Sequence, residues 1–148
     1  MILWRISNYS SLDGQGGLVS SARWHTAGQP IVYLAESPSG ALTEIMVHLE
    51  LRPTQFPQTY KLLKVETASD LAISTIDEKE LPANWKLDPL VTRSIGDEWL
   101  ASRLTALLRV PSAIAPETWN VLLNPRHADA ARVTVLWHRE YPWDSRLL

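Results

Sequence analysis

Residues Ser20 to Glu50 read SSARWHTAGQPIVYLAESPSGALTEIMVHLE, and the fold turns on how this stretch divides. Ile31-Val32-Tyr33-Leu34-Ala35 is a short apolar run whose composition and length predict a strand, with a phenol in its middle. Ser37-Pro38-Ser39-Gly40 is a turn signal, and Ser39 is placed to cap a following helix. Leu42, Ile45, Met46 and Leu49 then recur at helical spacing and give that helix its apolar stripe. Glu44 falls off the stripe, on the opposite face of an ideal helix, where it can meet either solvent or a cleft. His48 lies one turn further along the same side and is read as a surface or packing residue. Upstream, Arg23 and Trp24 stand just before a Gly-containing loop, Thr26 to Pro30. An arginine, a tyrosine and a glutamate thus lie on three consecutive elements joined by short loops, an arrangement that favours proximity. Each also has a plain structural reading: a surface arginine, a half-buried strand tyrosine and a solvated helix face.

Working outward, Ile2 to Ile6 predicts a strand, with Arg5 either an exposed edge residue or a second cleft arginine. Asn8 to Gly17 is polar and Gly-rich but lacks the strand-to-helix setting of a phosphate-binding loop, so it reads as a flexible connection. Leu18 to Trp24 is expected to be extended. Pro53 and Pro57 close the first long helix. Thr59 to Val65 and Leu71 to Ser74 read as strands, and Asp77 to Pro89 as a charged, Pro-punctuated connection. Pro89 to Leu108 reads as a second long helix, in which Gly96 allows close approach of another backbone. Val110 to Ile114 then enters a strand with Ser112 at its start. Asn124-Pro125 makes a turn, and His127 to Ala131 is expected to form one helical turn. Arg132 to His138 is the clearest strand, and Pro142 prevents its extension. Strands outnumber helices without regular alternation, which argues for an α+β fold with a mostly antiparallel sheet.

The chain has 148 residues, the size of one ordinary domain, and the reading is a single domain over 1–148. It contains no cysteine, which excludes disulfides, thiolate nucleophiles and Cys-based zinc sites. A formal charge of -2, with both signs spread along the chain, gives no nucleic-acid footprint. Met1 to Arg5 lack the basic region and long apolar run expected of a signal peptide, and no apolar run approaches the roughly 20 residues of a membrane span, so the expected compartment is the cytoplasm. The four histidines lack ligand spacing, so no metal site is expected. Seven tryptophans against one phenylalanine point to indoles as core or interface anchors.

The run ARWHTAGQPIVYLAESPSGALTE resembles the core signature of the RES domain, named for an arginine, a glutamate and a serine. The likeness continues through Gly96-Asp97-Glu98-Trp99-Leu100, Val110-Pro111-Ser112-Ala113 and Asn120-Val121-Leu122-Leu123-Asn124-Pro125-Arg126-His127, in order over nearly the whole chain. The family comprises toxins of bacterial toxin–antitoxin pairs. The resemblance implies a fold similar to the ADP-ribosyltransferase fold of diphtheria-toxin-like enzymes, in which two small sheets form a cleft for NAD. It implies NAD as a substrate rather than a resident cofactor, and attack at its nicotinamide–ribose bond. It also implies a hetero-oligomer with a cognate Xre-like helix-turn-helix antitoxin, so that DNA is met by the partner and not by this chain.

That bond breaks through an oxocarbenium-like ribose, and the needs follow from charge. A carboxylate belongs near the developing cation, and Glu44 is the candidate. An aromatic face suits the nicotinamide, and Tyr33 can stack there. A guanidinium suits the pyrophosphate or ribose, which assigns Arg23, with Arg5 as the second cation. Ser112 can orient Glu44 or a ribose hydroxyl, and Asn124 either supports the site or makes its turn. The set is similar to the His-Tyr-Glu pattern of diphtheria-like transferases, with Arg23 standing where a histidine would be. The acceptor is left open: water gives hydrolysis, phosphate gives phosphorolysis and a protein side chain gives ADP-ribosylation. His25 departs from the asparagine expected in many relatives. Two other classes stand beside this reading, a protein-binding module that has lost activity and an esterase-like enzyme using Ser112. The latter lacks a Gly-x-Ser-x-Gly elbow.

Overall fold

A computed structural model describes residues 1–49 and 56–147. Its strands are β1 (Ile2–Ser7), β2 (Val32–Ala35), β3 (Lys61–Thr67), β4 (Ile73–Thr75), β5 (Leu107–Pro111), β6 (Trp119–Leu123) and β7 (Val133–Glu140). They form one sheet in the order β4-β5-β6-β2-β1-β3-β7. Among the described residues only the β4–β5 pairing is parallel, so the fold is α+β with a mixed, mostly antiparallel sheet. The sheet has a weak point: β1 and β2 meet at the single register pair Trp4↔Ala35, whereas β1 and β3 pair continuously from Ile2↔Glu66 to Ser7↔Lys61. The two small sheets expected from the sequence are therefore two halves of one sheet, β4-β5-β6-β2 and β1-β3-β7.

Burial holds the halves together. Leu3, Leu63, Val65 and Val133 from one half share a core with Val32, Leu34, Leu107, Val121 and Leu123 from the other. The opposite face of the second half is covered by Trp24, Trp85, Trp99 and Leu100, which pack over Leu108, Val110 and Leu122. Helix α2 (Pro38–Leu49) lies over the seam, with Ala41 against Ile6 of β1 and Ala35 of β2. Its start is capped by Ser37 and not by Ser39, because the Gly40 N–H donates to Ser37 Oγ at 2.9 Å. Pro38 then occupies the first helical position, where its missing N–H costs nothing. No described helix is long and apolar enough to cross a membrane.

Three further expectations are corrected by the structure. Helix α3 (Pro89–Ser102) stops well before Leu108, because Arg103 turns into the left-handed region at φ 51°. The apolar run after Leu104 fits either element by periodicity, and pairing Leu107 and Leu108 with Leu123 and Leu122 decides for a strand. Ser112 accordingly lies just past the end of β5, not at the start of a strand. The Gly-rich connection is docked, and its end together with Leu18 and Val19, the first two residues of the segment expected to be extended, forms the short helix α1 (Gln15–Val19). Gly17 abuts the Gln29 carbonyl and Ile31, and its own carbonyl accepts the Gly28 N–H at 3.1 Å. The expected helix end at Pro53 lies outside the described residues. Beyond β7 the tail folds back, Trp143 stacking on Phe56 at 4.9 Å and donating its indole N–H to the Pro57 carbonyl.

The Gly96-Asp97 pair is a latch. A Cβ on Gly96 would overlap the Trp24 carbonyl, so only glycine lets α3 touch that backbone. At the next residue, Asp97 accepts both the Thr26 N–H (2.9 Å) and the Thr26 hydroxyl (2.7 Å). Arg93 Nε and Thr92 Oγ1 add bonds to the Ala22 and Arg23 carbonyls, at 2.8 and 2.5 Å. Gly96→Ala is expected to destabilise the protein by more than about 3 kcal/mol, because backbone cannot yield as a flexible side chain does. Urea unfolding of the variant against wild type measures this, with the midpoint shifted and the slope unchanged.

Candidate active site

Glu44 is brought to the sheet by two small residues. Gly40 and Ala41 are the buried positions of α2, and Glu44 follows them by four and three residues, on the same helix face. Leu42 and Ile45 of the apolar stripe pack against the same cluster as Ala41, and Glu44, read as lying off the stripe, also points inward, half-buried. Its Oε1 accepts two hydrogen bonds, from Ser112 Oγ at 2.7 Å and from Asn120 Nδ2 at 2.9 Å. The Ser112 hydroxyl in turn accepts the Ile114 and Ala115 N–H groups, each at 3.1 Å. One donor and two acceptors are all a hydroxyl offers, so Ser112 is fully committed to holding Glu44. Among the described residues its hydroxyl meets no histidine, so the Ser-His-Asp form of the esterase reading finds no support.

The sequence reading does not single out Asn120. Its position in β6, opposite Ala35, places it on the same sheet face as Tyr33, which pairs with Leu122. Tyr33 and Asn120 are diagonal neighbours, within reach of an aromatic side chain. The available signal is a polar residue inside the otherwise apolar run Trp119 to Leu123, and the neighbouring Asn124 draws attention away from it.

The Tyr33 hydroxyl sits in a second network. It accepts the Trp24 N–H at 3.1 Å and lies 2.8 Å from His25 Nδ1, while His25 Nε2 lies 3.2 Å from the Gly17 carbonyl. A carbonyl only accepts, so Nε2 carries the proton, Nδ1 is the acceptor and the tyrosine donates to it. Burial lowers the His25 pKa and keeps the ring neutral, which this arrangement requires. Burial likewise pushes the Tyr33 pKa above its ordinary range, so the phenol stays protonated.

Arg23 is held by Trp85 and Lys86, whose carbonyls accept from Nη1 at 3.4 and 3.1 Å. Its recorded partners are thus backbone groups of the Trp-rich layer and not the Glu44 carboxylate. Arg5 lies on the side of the pleat opposite Trp4, with Leu3. It donates to the Ser11 carbonyl at 3.3 Å, and burial lowers its pKa to about 10, opposed by Asp13, Tyr9 and Tyr60. It remains cationic at neutral pH. Asn124 serves the fold: its Nδ2 donates to the Leu100 carbonyl at 3.2 Å and its Oδ1 accepts the Arg126 N–H at 3.0 Å. Buried with both ends engaged, it is a turn residue and not a ligand contact. Among the described residues no group of three or more His, Cys, Asp or Glu could hold a metal ion. A surface cavity of about 650 Å³ lies elsewhere, lined by Phe56, Arg139, Tyr141 and Trp143 among others.

A carboxylate fixed by a serine, over the sheet face that bears a protonated tyrosine, fits the Glu and Ser of the RES pattern, and comparison with known proteins establishes the family. The chain matches the RES domain over residues 2–144 and belongs to that family. It is 47% identical to Toxin Res of Pseudomonas putida, with 99% of each chain covered. It is 34% identical to the Prs ADP-ribosylating toxin of a Sphingobium species, covering 98% of this chain and 95% of the relative. In fold it is similar to a chain of the M. tuberculosis MbcT-MbcA toxin-antitoxin complex, with a TM-score of 0.75 at 14% identity, over 95% of this chain and 83% of that one.

The His25 network has a pH signature. The folded-state pKa lies below the ordinary histidine value of 6.5, so the unfolded chain binds the proton more readily. The stability that neutral His25 contributes is complete above about pH 6.5 and is lost as pH falls from there through the depressed folded value. His25→Asn, which can still accept from Tyr33, is expected to unfold with a smaller loss of thermal midpoint between pH 7 and pH 5 than wild type. Melts of both proteins across that range measure the difference.

Proposed function

We propose that this chain is the toxin of a toxin–antitoxin pair and that it cleaves the nicotinamide–ribose bond of NAD, depleting the cell of NAD by hydrolysis or phosphorolysis. The observation that carries the reading is the Glu44 carboxylate, held by Ser112 on the sheet face that bears Tyr33. In this reading the flat nicotinamide lies against Tyr33. The protonated phenol cannot compete as a nucleophile, and its hydroxyl is already engaged by Trp24 and His25. As the bond lengthens the ring loses its positive charge and the ribose gains one. Glu44 then faces a cation that is absent from the ground state at that position, which lowers the barrier more than it tightens binding. The proposed pyrophosphate contact is Arg23, through donors left over from its carbonyl clamp, whereas Arg5 lies on the sheet face opposite Tyr33 and Asn120 and is not brought to this site.

A second reading is ADP-ribosylation of a protein side chain, favoured by the Sphingobium relative named for modifying Prs. The two differ only in the acceptor, so one experiment divides them. The purified protein is incubated with NAD, with and without phosphate, and nicotinamide release is followed together with mass analysis of added target proteins. Free ADP-ribose or its phosphate ester supports depletion, and a protein gaining an ADP-ribosyl mass supports the second reading. No nicotinamide release under any condition sinks both. The proposed partner is an Xre-like helix-turn-helix antitoxin, a reading supported by the toxin-antitoxin complex to which the fold is similar. NAD as substrate fits a protein of the cytoplasm.

Glu44→Gln keeps size and most hydrogen bonding but removes the charge. Turnover is expected to fall roughly 10²–10³-fold, about 2.7–4 kcal/mol at the transition state. NAD affinity and thermal midpoint are expected to change little, since Gln and Glu have similar helix propensities. Single-turnover nicotinamide release paired with a thermal melt checks both halves.

A further inference from the structure

We infer that Asn120 is a positioning residue for Glu44, and that Asn120 and Ser112 together fix which carboxylate oxygen meets the substrate; the chemistry rests on the NAD-cleaving reading above. Both recorded hydrogen bonds to the carboxylate end on Oε1. Among the described residues Oε2 receives none. Oε1 is therefore the anchored oxygen and Oε2 the one turned to the reacting ribose.

The side-chain orientation of Asn120 is forced. A carboxylate oxygen only accepts, so the amide must present Nδ2 to Glu44. Its Oδ1 is then left buried with no hydrogen-bond partner. The residues directly opposite on the same face are Ala35 and Val110, which offer nothing to that carbonyl. A buried, half-satisfied amide in an apolar wall is destabilising to the fold. Its one benefit is the bond to Glu44, and local rules are broken in this way chiefly at functional sites. The strand geometry adds precision: Asn120 is pinned between β2 and β5, so its donor is as rigid as the centre of the sheet. Ser112, by contrast, is oriented by the loop that follows β5.

Two variants and one background test the assignment. In Asn120→Ala the donor and the orphan carbonyl leave together, so the thermal midpoint is expected to hold while kcat for nicotinamide release falls about 10–10²-fold, as for a misplaced catalytic group. KM for NAD is expected to stay within about threefold, because Asn120 acts through Glu44. In the Glu44→Gln background the same change is expected to cause no further loss. Asn120→Asp is nearly isosteric and sets a carboxyl against Glu44. Only its protonated form can donate to Oε1, so its turnover relative to wild type is expected to rise as pH falls. Wild-type turnover by Asn120→Ala, or an Asn120→Asp profile parallel to wild type, overturns the proposal. Should wild type release no nicotinamide, the NAD reading falls separately. Crystal structures of wild type and Asn120→Ala then decide the positioning: Glu44 displaced from Ser112 supports it, and Glu44 unmoved overturns it.

Discussion

Two half-sheets joined by one register pair impose the constraint from which the architecture follows. A single pairing at Trp4↔Ala35 cannot keep two strands aligned, so the alignment must come from what packs across the joint. Below it, both halves share one apolar core. Above it, α2 seats Ala41 against Ile6 and Ala35, one residue from each side. The close seat depends on Gly40 and Ala41 having almost no side chain, and that same seat carries Glu44 to the sheet face. The feature that closes the seam and the feature that positions the carboxylate are one helix at one depth. A bulkier residue at either small position would loosen both.

Elements whose pattern is set locally were legible in the sequence. β1, β2 and β7 announce themselves by composition, and α2 by spacing and its Ser-Pro start. β6 did not, because it is buried on both faces and carries an asparagine, so it shows neither alternation nor an unbroken apolar run. The end of α3 was misplaced because the residues after Arg103 suit a helix or a strand equally. Pairing with β6, a contact distant in sequence, settles the matter. The Gly-rich connection looked mobile because glycine usually signals freedom. Here Gly14 and Gly17 serve close approach to the Ile31 backbone, which composition does not distinguish.

At the site, the resemblance brings Ser112 forward to orient either Glu44 or a ribose hydroxyl, and the structure places Ser112 within hydrogen-bond distance of Glu44. Its companion Asn120 was invisible because sequence gives no face for a residue until strand register is known. Arg23 and Asn124 show the converse. Both belong to well-matched motifs, yet their hydrogen bonds go to backbone carbonyls and N–H groups of the surrounding fold. A motif marks residues that matter without saying whether they matter to the ligand or to the scaffold. The Gly96-Asp97 motif is wholly of the second kind, since one residue admits the Trp24 backbone and the other ties down Thr26.

The two polar networks on the β2–β6 face divide the electrostatic work. The Tyr33–His25 chain is neutral from end to end: a carbonyl holds one ring nitrogen, which fixes the tautomer, which fixes the direction of the phenolic proton. Such a chain sets geometry without adding a charge to this face. The Glu44 group does the opposite. It carries the carboxyl charge and places two donors on one oxygen, polarising the pair unequally. Donors on Oε1 withdraw density from that atom and leave Oε2 as the less compensated partner. In the reaction proposed above, a cation forming opposite Oε2 would meet a field that is already oriented. Separating a neutral frame from a single directed charge is what lets a modest sheet surface favour one distribution of charge over another.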